Sequence, residues 1–213
     1  MTLASLPKAL SGLVVLLLAF SGCSSKEGQA LLQPPQTLGL VLATQAARSA
    51  GTKKLVALIT PDASWGPAST AEEAFRSAMK KQGFSVVTAK SANLGDPMHG
   101  RPGLKAADFF EALEKSADTG AVVSFVGAPI LGPGDDARLS SGQHPPVLVV
   151  ATMTLGIVPG VANDRLLLAN MLEGKIIQLA IVDGEDPELL KASHGDATQE
   201  LFARSYRILR PPN

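Results

Sequence analysis

Lys53–Gly83, KKLVALITPDASWGPASTAEEAFRSAMKKQG, decides how the rest of the chain is read. It opens on an unbroken apolar run, Leu55–Ile59, short enough for a strand and rich in branched side chains, which marks a strand buried on both faces. A loop with Pro61 and Pro67 leads to a helix opening at Ser69 or Thr70. Either hydroxyl caps it, because Glu72 and Glu73 each stand three residues on and complete a capping box. Ala71, Ala74, Phe75, Ala78 and Met79 then fall on one stripe. Acids lead and lysines close the helix, as its dipole favours. Gly83 stops it, and Phe84–Thr88 starts a second strand, so the stretch is one β-α-β unit.

The pattern recurs along the chain. Leu38–Ala50 reads as a helix ended by Gly51. After a polar loop over Lys90–Gly103, Ala106, Phe109, Phe110, Leu113 and Ala117 recur at helical spacing and stop at Gly120. Ala121–Val126 is the third strand. Gly127–Pro146 is long for a structureless loop, so a short helix is expected over Asp135–Ser140. Val147–Thr152 is the fourth strand, Leu166–Leu172 a helix reaching Gly174, and Ile176–Val182 the fifth strand. Gly83, Gly120 and Gly174 each end a helix before a strand, which predicts a left-handed C′ residue at all three. Near the C-terminus Asp196 caps a short helix with Gln199 at the return position. Leu201, Phe202 and Tyr206 pack back as a lid on one sheet edge. The fold class is α/β: a single Rossmann-like or flavodoxin-like three-layer domain, residues 38–213, with a mostly parallel five-stranded sheet. Leu166–Val182 also reads as a β-hairpin turning at Glu173-Gly174, which would make the domain α+β.

The 213 residues carry 19 basic and 19 acidic side chains. With no basic tract, nothing points to nucleic acid as a partner. Aromatic residues are only 4%, so the core is built from Leu, Val, Ile and Ala, as a parallel sheet under helices requires.

Lys8 supplies a positive n-region, and Ala9–Phe20 is an apolar segment too short to span a bilayer core of roughly 30 Å. It ends in Phe20-Ser21-Gly22-Cys23, which resembles the lipobox of bacterial lipoproteins, with Phe20 where that family usually has Leu. The resemblance implies a signal peptide over 1–22, a diacylated Cys23 as mature N-terminus, and a membrane partner reached through the lipid. Residues 23–37, with Ser24-Ser25, Gly28 and Pro34-Pro35, read as a tether. Ser24, in place of Asp, implies sorting to the outer membrane, facing the periplasm. Cys23 is the sole cysteine, so no disulfide forms within one chain.

Residues 53–154 resemble the amino-terminal lobe of type I periplasmic solute-binding proteins. The resemblance rests on Leu55-Val-Ala-Leu-Ile-Thr-Pro-Asp62, Trp65 before the first helix, the Lys-Gln-Gly-Phe84 junction, the strand ending at Val126, and Pro-Pro-Val-Leu-Val-Val150. It implies a small polar ligand, such as a sugar, held between two lobes at the carboxyl ends of strands. About 30 residues follow Val182, too few for a second lobe. Either the chain keeps a single lobe for another use, or a protein partner or a second copy supplies the missing half. The alternative is an envelope interaction or assembly module without a small ligand. In its hairpin form the chain would look more like the small α+β domains of lipoproteins that activate cell-wall synthases or support secretion.

Loops at the carboxyl ends of parallel strands are where a ligand belongs in such a fold. They contain the candidate ligand-binding residues Asp62, Ser64, Trp65, Gly127 and Thr152. Trp65 either meets a ligand or packs its ring over the sheet end; Asp62 either accepts from a hydroxyl or bonds its own turn. Gly127–Gly134, GAPILGPG, lacks the Lys and Ser/Thr of a phosphate loop. His99, His144 and His194 have no His or Cys at ligand spacing, so neither a metal nor another cofactor is expected. No nucleophile elbow or H-E-x-x-H pattern is present, and the chain reads as non-enzymatic.

Overall fold

The computed structural model describes residues 26–63, 66–95, 103–141, 143–155, 164–184 and 198–212. Leu32–Asn213 forms one compact unit. Of the preceding unit, Met1–Leu31, the described part is Lys26–Leu31, which is helical.

Helix α1 (Lys26–Ala50) is followed by β1 (Leu55–Pro61), α2 (Gly66–Lys81) and β2 (Ser85–Ala92). Next come β3 (Leu104–Lys105), α3 (Ala106–Lys115), β4 (Ala121–Ser124), β5 (Pro129–Ile130) and α4 (Asp135–Ser141). Strand β6 (Val147–Ala151), a 3₁₀ turn (Met153–Leu155), α5 (Arg165–Glu173), β7 (Leu179–Asp183), α6 (Thr198–Ser205) and β8 (Tyr206–Leu209) complete the order.

The main sheet runs β2-β1-β4-β6-β7-β8, and β3 pairs with β5 in a small separate sheet. The first five strands are parallel; in order of appearance they read 2-1-3-4-5, the flavodoxin-like winding. β8 adds a sixth strand, antiparallel to β7, with Ala180 opposite Leu209 and Asp183 opposite Tyr206. The lid expected at the sheet edge is thus part of the sheet. Tyr206 is buried, and an antiparallel edge strand provides that burial while pairing β7 on its outer side.

Alternation along β1 explains the layers. Val56 and Leu58 belong to one core cluster, with residues of α1, α2 and α6. Ala57 and Ile59 belong to the other, with residues of α3, α4 and α5. All four are fully buried, so neither face of the strand meets water. The leftward step β1-α2-β2 uses one face and the rightward steps use the other, as uniform right-handed crossovers demand.

Several local expectations are corrected. The segment expected as a tether is helical from Lys26, with Pro34 and Pro35 inside α1. Pro35, Thr37 and Leu38 are buried, and that burial outweighs two missing backbone donors. Helix α2 begins at Gly66, so Ser69 and Thr70 lie in its first turns, and the Thr70 hydroxyl donates to the Gly66 carbonyl at 2.9 Å. β2 runs through Lys90 to Ala92, a bulge at Ala89 shifting its register against β1 by one residue. β4 stops at Ser124, two residues early, and regular pairing in β7 begins at Leu179. Leu166–Leu172 is helical, capped by Asp164, which removes the hairpin alternative.

The three glycines divide. Gly83 has φ +77°, with Gly83 N–H donating to Lys80 O and Phe84 N–H to Met79 O, a Schellman closure. Gly174 has φ −71°, and Lys175 takes the left-handed place with φ 57°. Gly120 has no positive φ. A Cβ there would lie 2.7 Å from Ala50 Cβ and 2.9 Å from Ala50 O, so packing against the end of α1 explains it.

At Gly39 the chain approaches a neighbouring helix with no room for a side chain. A Cβ there would stand 2.9 Å from both Ala74 Cβ and Phe75 N, and would overlap the Ala71 carbonyl outright. α1 therefore lies backbone to backbone on α2.

Edge strand β2 is tied to α3 by charge. Lys90 Nζ lies 2.8 Å from an Asp108 oxygen and 2.6 Å from Glu111 Oε2, and Glu111 Oε1 is 2.6 Å from Lys115 Nζ. Hydrogen bonds from Lys115 and then Lys90 hold the Glu111 carboxyl down at about 2, from an ordinary 4.5. Those from Asp108 and then Glu111 push the Lys90 ammonium up from 10.5. The carboxylate's contribution is therefore complete above its unfolded value and lost as pH falls through the folded one.

Two outcomes follow. Gly39→Ala should lower stability by about 1–3 kcal/mol in urea unfolding, because neither helix backbone has room to yield. Glu111→Gln should unfold at lower urea than the parent near neutral pH, with the gap closing as pH falls from about 4.5 towards 2.

Candidate functional site

The switch point of a 2-1-3-4-5 sheet lies between its first and third parallel strands, here β1 and β4. The chain leaves β1 for α2 on one face and leaves β4 towards α4 on the other, and it is at such a point that a doubly wound sheet offers room for a ligand.

At β1, Asp62 follows Pro61, which pairs with Ala92. Asp62 N–H donates to the Ala92 carbonyl at 3.0 Å, prolonging the ladder by one step. Its Oδ2 accepts from Asn93 Nδ2 at 2.9 Å, while Asn93 Oδ1 accepts from Gly95 N–H at 2.9 Å. Asp62 is thus held by the neighbouring strand's asparagine and remains exposed. Ser64 and Trp65 lie outside the described residues.

At β4, the Ser124 hydroxyl donates to the Gly127 carbonyl at 2.6 Å, closing a turn in which Gly127 has φ +81°. Gly127 is buried, and its part is to redirect the backbone at the strand end. Phe125 N–H donates to Ile59 O at 2.9 Å, and the Phe125 ring meets Phe75 of α2 edge-on, with centroids 5.7 Å apart at 80°. That contact fixes α2 against the end of β4.

At β6, Thr152 follows Ala151, which pairs with Val182. Thr152 is fully buried, and its Oγ1 has no hydrogen-bond partner among the described residues. Withdrawing a hydroxyl from water without a partner costs about 1–3 kcal/mol. The strand's alternation puts Thr152 on the α1/α2 face, since Leu148 and Val150 belong to that cluster. Met153 N–H donates to Asp183 Oδ2 at 2.7 Å, and the Met153 side chain is 57% exposed. The turn thus has an exposed apolar side chain next in sequence to a buried hydroxyl.

Asp62, Gly127 and Thr152 therefore stand at three adjacent strand ends, as expected. Sequence reasoning missed Asn93, Ser124 and Asp183. Asn93 was hidden because β2 runs past Lys90, and Ser124 because β4 ends early; the signal available for each was a polar residue closing an apolar run. Among the described residues no group of His, Cys, Asp and Glu could hold a metal ion.

No protein-family model matches the chain, and neither does any curated protein sequence. Among solved structures it is similar to an extracellular ligand-binding receptor from Rhodopseudomonas palustris HaA2, at 13% identity and a TM-score of 0.40, covering 73% of this chain and 40% of that one. It is also similar to an ABC transporter substrate-binding protein from Desulfitobacterium hafniense in complex with Leu, at 15% identity and a TM-score of 0.37, covering 80% of this chain and 42% of that one. The chain thus spans about two fifths of each.

Thr152→Val should raise the stability of the ligand-free chain by about 1 kcal/mol, because it removes an unsatisfied hydroxyl at nearly constant volume. Calorimetric melting of the two chains checks it.

Proposed function

We propose that the chain is a membrane-anchored, non-enzymatic binding lipoprotein of the bacterial cell envelope that takes a small polar solute at the carboxyl edge of its sheet. The orphan hydroxyl of Thr152 carries this reading. A fold that keeps a buried donor without a partner among its described residues at the carboxyl edge, where valine would fit, loses stability unless a ligand supplies the missing hydrogen bond.

The geometry narrows the solute. Asp62 and Thr152 end strands two places apart in the sheet, a span of about 10 Å at ordinary strand spacing. A hydrogen bond of roughly 2.8 Å at each end leaves about 4–5 Å, the width of one ring carrying hydroxyls on opposite sides. A sugar-like molecule fits that span, with Asp62 accepting and Thr152 donating or accepting. Trp65, between Asp62 and α2 in sequence, is the aromatic platform proposed for its apolar face. Met153 offers an apolar contact for the ligand or for a second protein surface, a partner or another copy, closing over the carboxyl edge. The anchor is the lipid on Cys23, placed by the lipobox at the start of the mature chain. Among the described residues no helix is long and apolar enough to cross a membrane; the reading needs none.

Thermal-shift screening of the purified chain against sugars, nucleosides and amino acids tests the site. A ligand at a hundred times its dissociation constant should raise the melting temperature by about 5–10 °C. Thr152→Val should abolish the rise. A chain indifferent to every class would sink the solute reading and favour the envelope interaction module. Cys23→Ser should move the protein from the membrane fraction to the soluble one.

A further inference from the structure

Strand β2 is one edge of the main sheet, and among the described residues its outer side has no strand partner. The ladder fixes which of its backbone groups face outwards. Ser85 N–H donates to Lys54 O at 2.8 Å, and the parallel register runs from Leu55 opposite Ser85 to Leu58 opposite Thr88. In such a ladder alternate residues turn both backbone groups to the neighbouring strand. Ser85 and Val87 therefore bond β1, whereas Val86 and Thr88 hold N–H and C=O outwards.

Sheet edges are ordinarily blunted by charge, proline or a kink. β8 follows that rule, with Arg207 and the Pro211-Pro212 that follows it. Over Ser85–Thr88, β2 has none of these devices: the four residues are uncharged, and the bulge comes only at Ala89. Ser85, Val87 and Thr88 are exposed. Val87 is 44% exposed, and among the described residues it is the one large apolar side chain left open on a strand.

The charges beside this edge are balanced. On the α2 side, Arg76 lies 2.7 Å from Glu72 and donates to the Thr88 hydroxyl at 2.8 Å. On the α3 side, Lys90 and Lys115 are matched by Asp108 and Glu111. Two copies of the edge can meet without an excess of either sign.

We infer that the chain forms a two-fold dimer by antiparallel pairing of β2 with β2 of a second copy. Outward groups must meet outward groups, so Val86 faces Thr88 of the second copy and Thr88 faces its Val86. Each pair exchanges two hydrogen bonds. The axis then passes beside Val87, which meets its own equivalent as a non-hydrogen-bonded pair, where side chains come closest. A register centred on Val86 would call on Phe84 N–H, which already donates to Met79 O; one centred on Thr88 runs into the bulge. The self-complementary geometry and the neutral flanks single out a second copy as the occupant. The bulge ends the pairing, and the guarded β8 edge ends the sheet in each copy, so assembly closes at two. The paired strands run in opposite directions, which leaves both carboxyl edges open, so the dimer stands whether or not a solute binds there.

The purified chain carrying Cys23→Ser, which removes its one thiol, provides the test. One strand pair makes a weak interface, so light scattering should give twice the mass of one chain at about 0.5 mM and fall towards a single mass on dilution. Val87→Lys sets like charges opposite each other and should weaken association by about tenfold or more, with the circular dichroism spectrum unchanged. Val87→Thr should keep the dimer. Added to Cys23→Ser, Val87→Cys brings two Cα atoms to about 4.5 Å across the axis and should form a disulfide on oxidation. Ser85→Cys leaves them roughly 13 Å apart along the strands and should not. A chain that stays monomeric, a dimer that survives Val87→Lys or is lost with Val87→Thr, or cross-linking of Val87→Cys no faster than of Ser85→Cys would each overturn the inference.

Discussion

The burial of β1 on both faces is the constraint from which the rest of the architecture follows. Val56–Ile59 have no solvent exposure, so helices must cover both sides of the sheet, and the chain must cross to each in turn. Backbone amides in such a strand have no water to fall back on. β2 and β4 flank β1 in parallel register and satisfy them. Winding outwards in both directions from one strand creates the switch point at the carboxyl edge. The candidate site is thus not added to the fold but left by the way the central strand is buried.

The two faces are sealed by different physics. On one, α1 and α2 approach so closely that Gly39 has no room for a methyl group, and small residues such as Ala43 and Ala46 extend the buried face of α1. On the other, α3 brings Phe109 and Phe110 inward and Asp108 and Glu111 to Lys90. The ends of the sheet differ as well. β2 has its one lysine turned onto α3, whereas β8 is short, carries Arg207 and runs into Pro211-Pro212, a composition that discourages further strand pairing.

The polar residues at the carboxyl edge show how a site differs from a cap. The Asp62–Asn93 and Ser124–Gly127 pairs are satisfied locally and shape the loops. Thr152 is buried at the same edge, and among the described residues its hydroxyl has no partner. Geometry groups the three strand ends, but only the missing bond separates a residue that supports the rim from one suited to a ligand.

The sequence by itself determined the β-α alternation, the apolar run that begins or fills each of the five parallel strands, and the strand ends at which Asp62 and Thr152 stand. Strong apolar runs such as Leu55–Ile59 and stripes such as Phe75–Met79 are local signals, and their period survives without knowledge of what they touch. Tertiary structure alone decided that Pro34 and Pro35 sit within a helix, that Lys175 and not Gly174 takes the left-handed turn, that Tyr206–Leu209 closes the sheet as an antiparallel strand, and that Thr152 is buried without a partner among the described residues. Each depends on burial against residues distant in the chain, and burial is not a property of any single stretch.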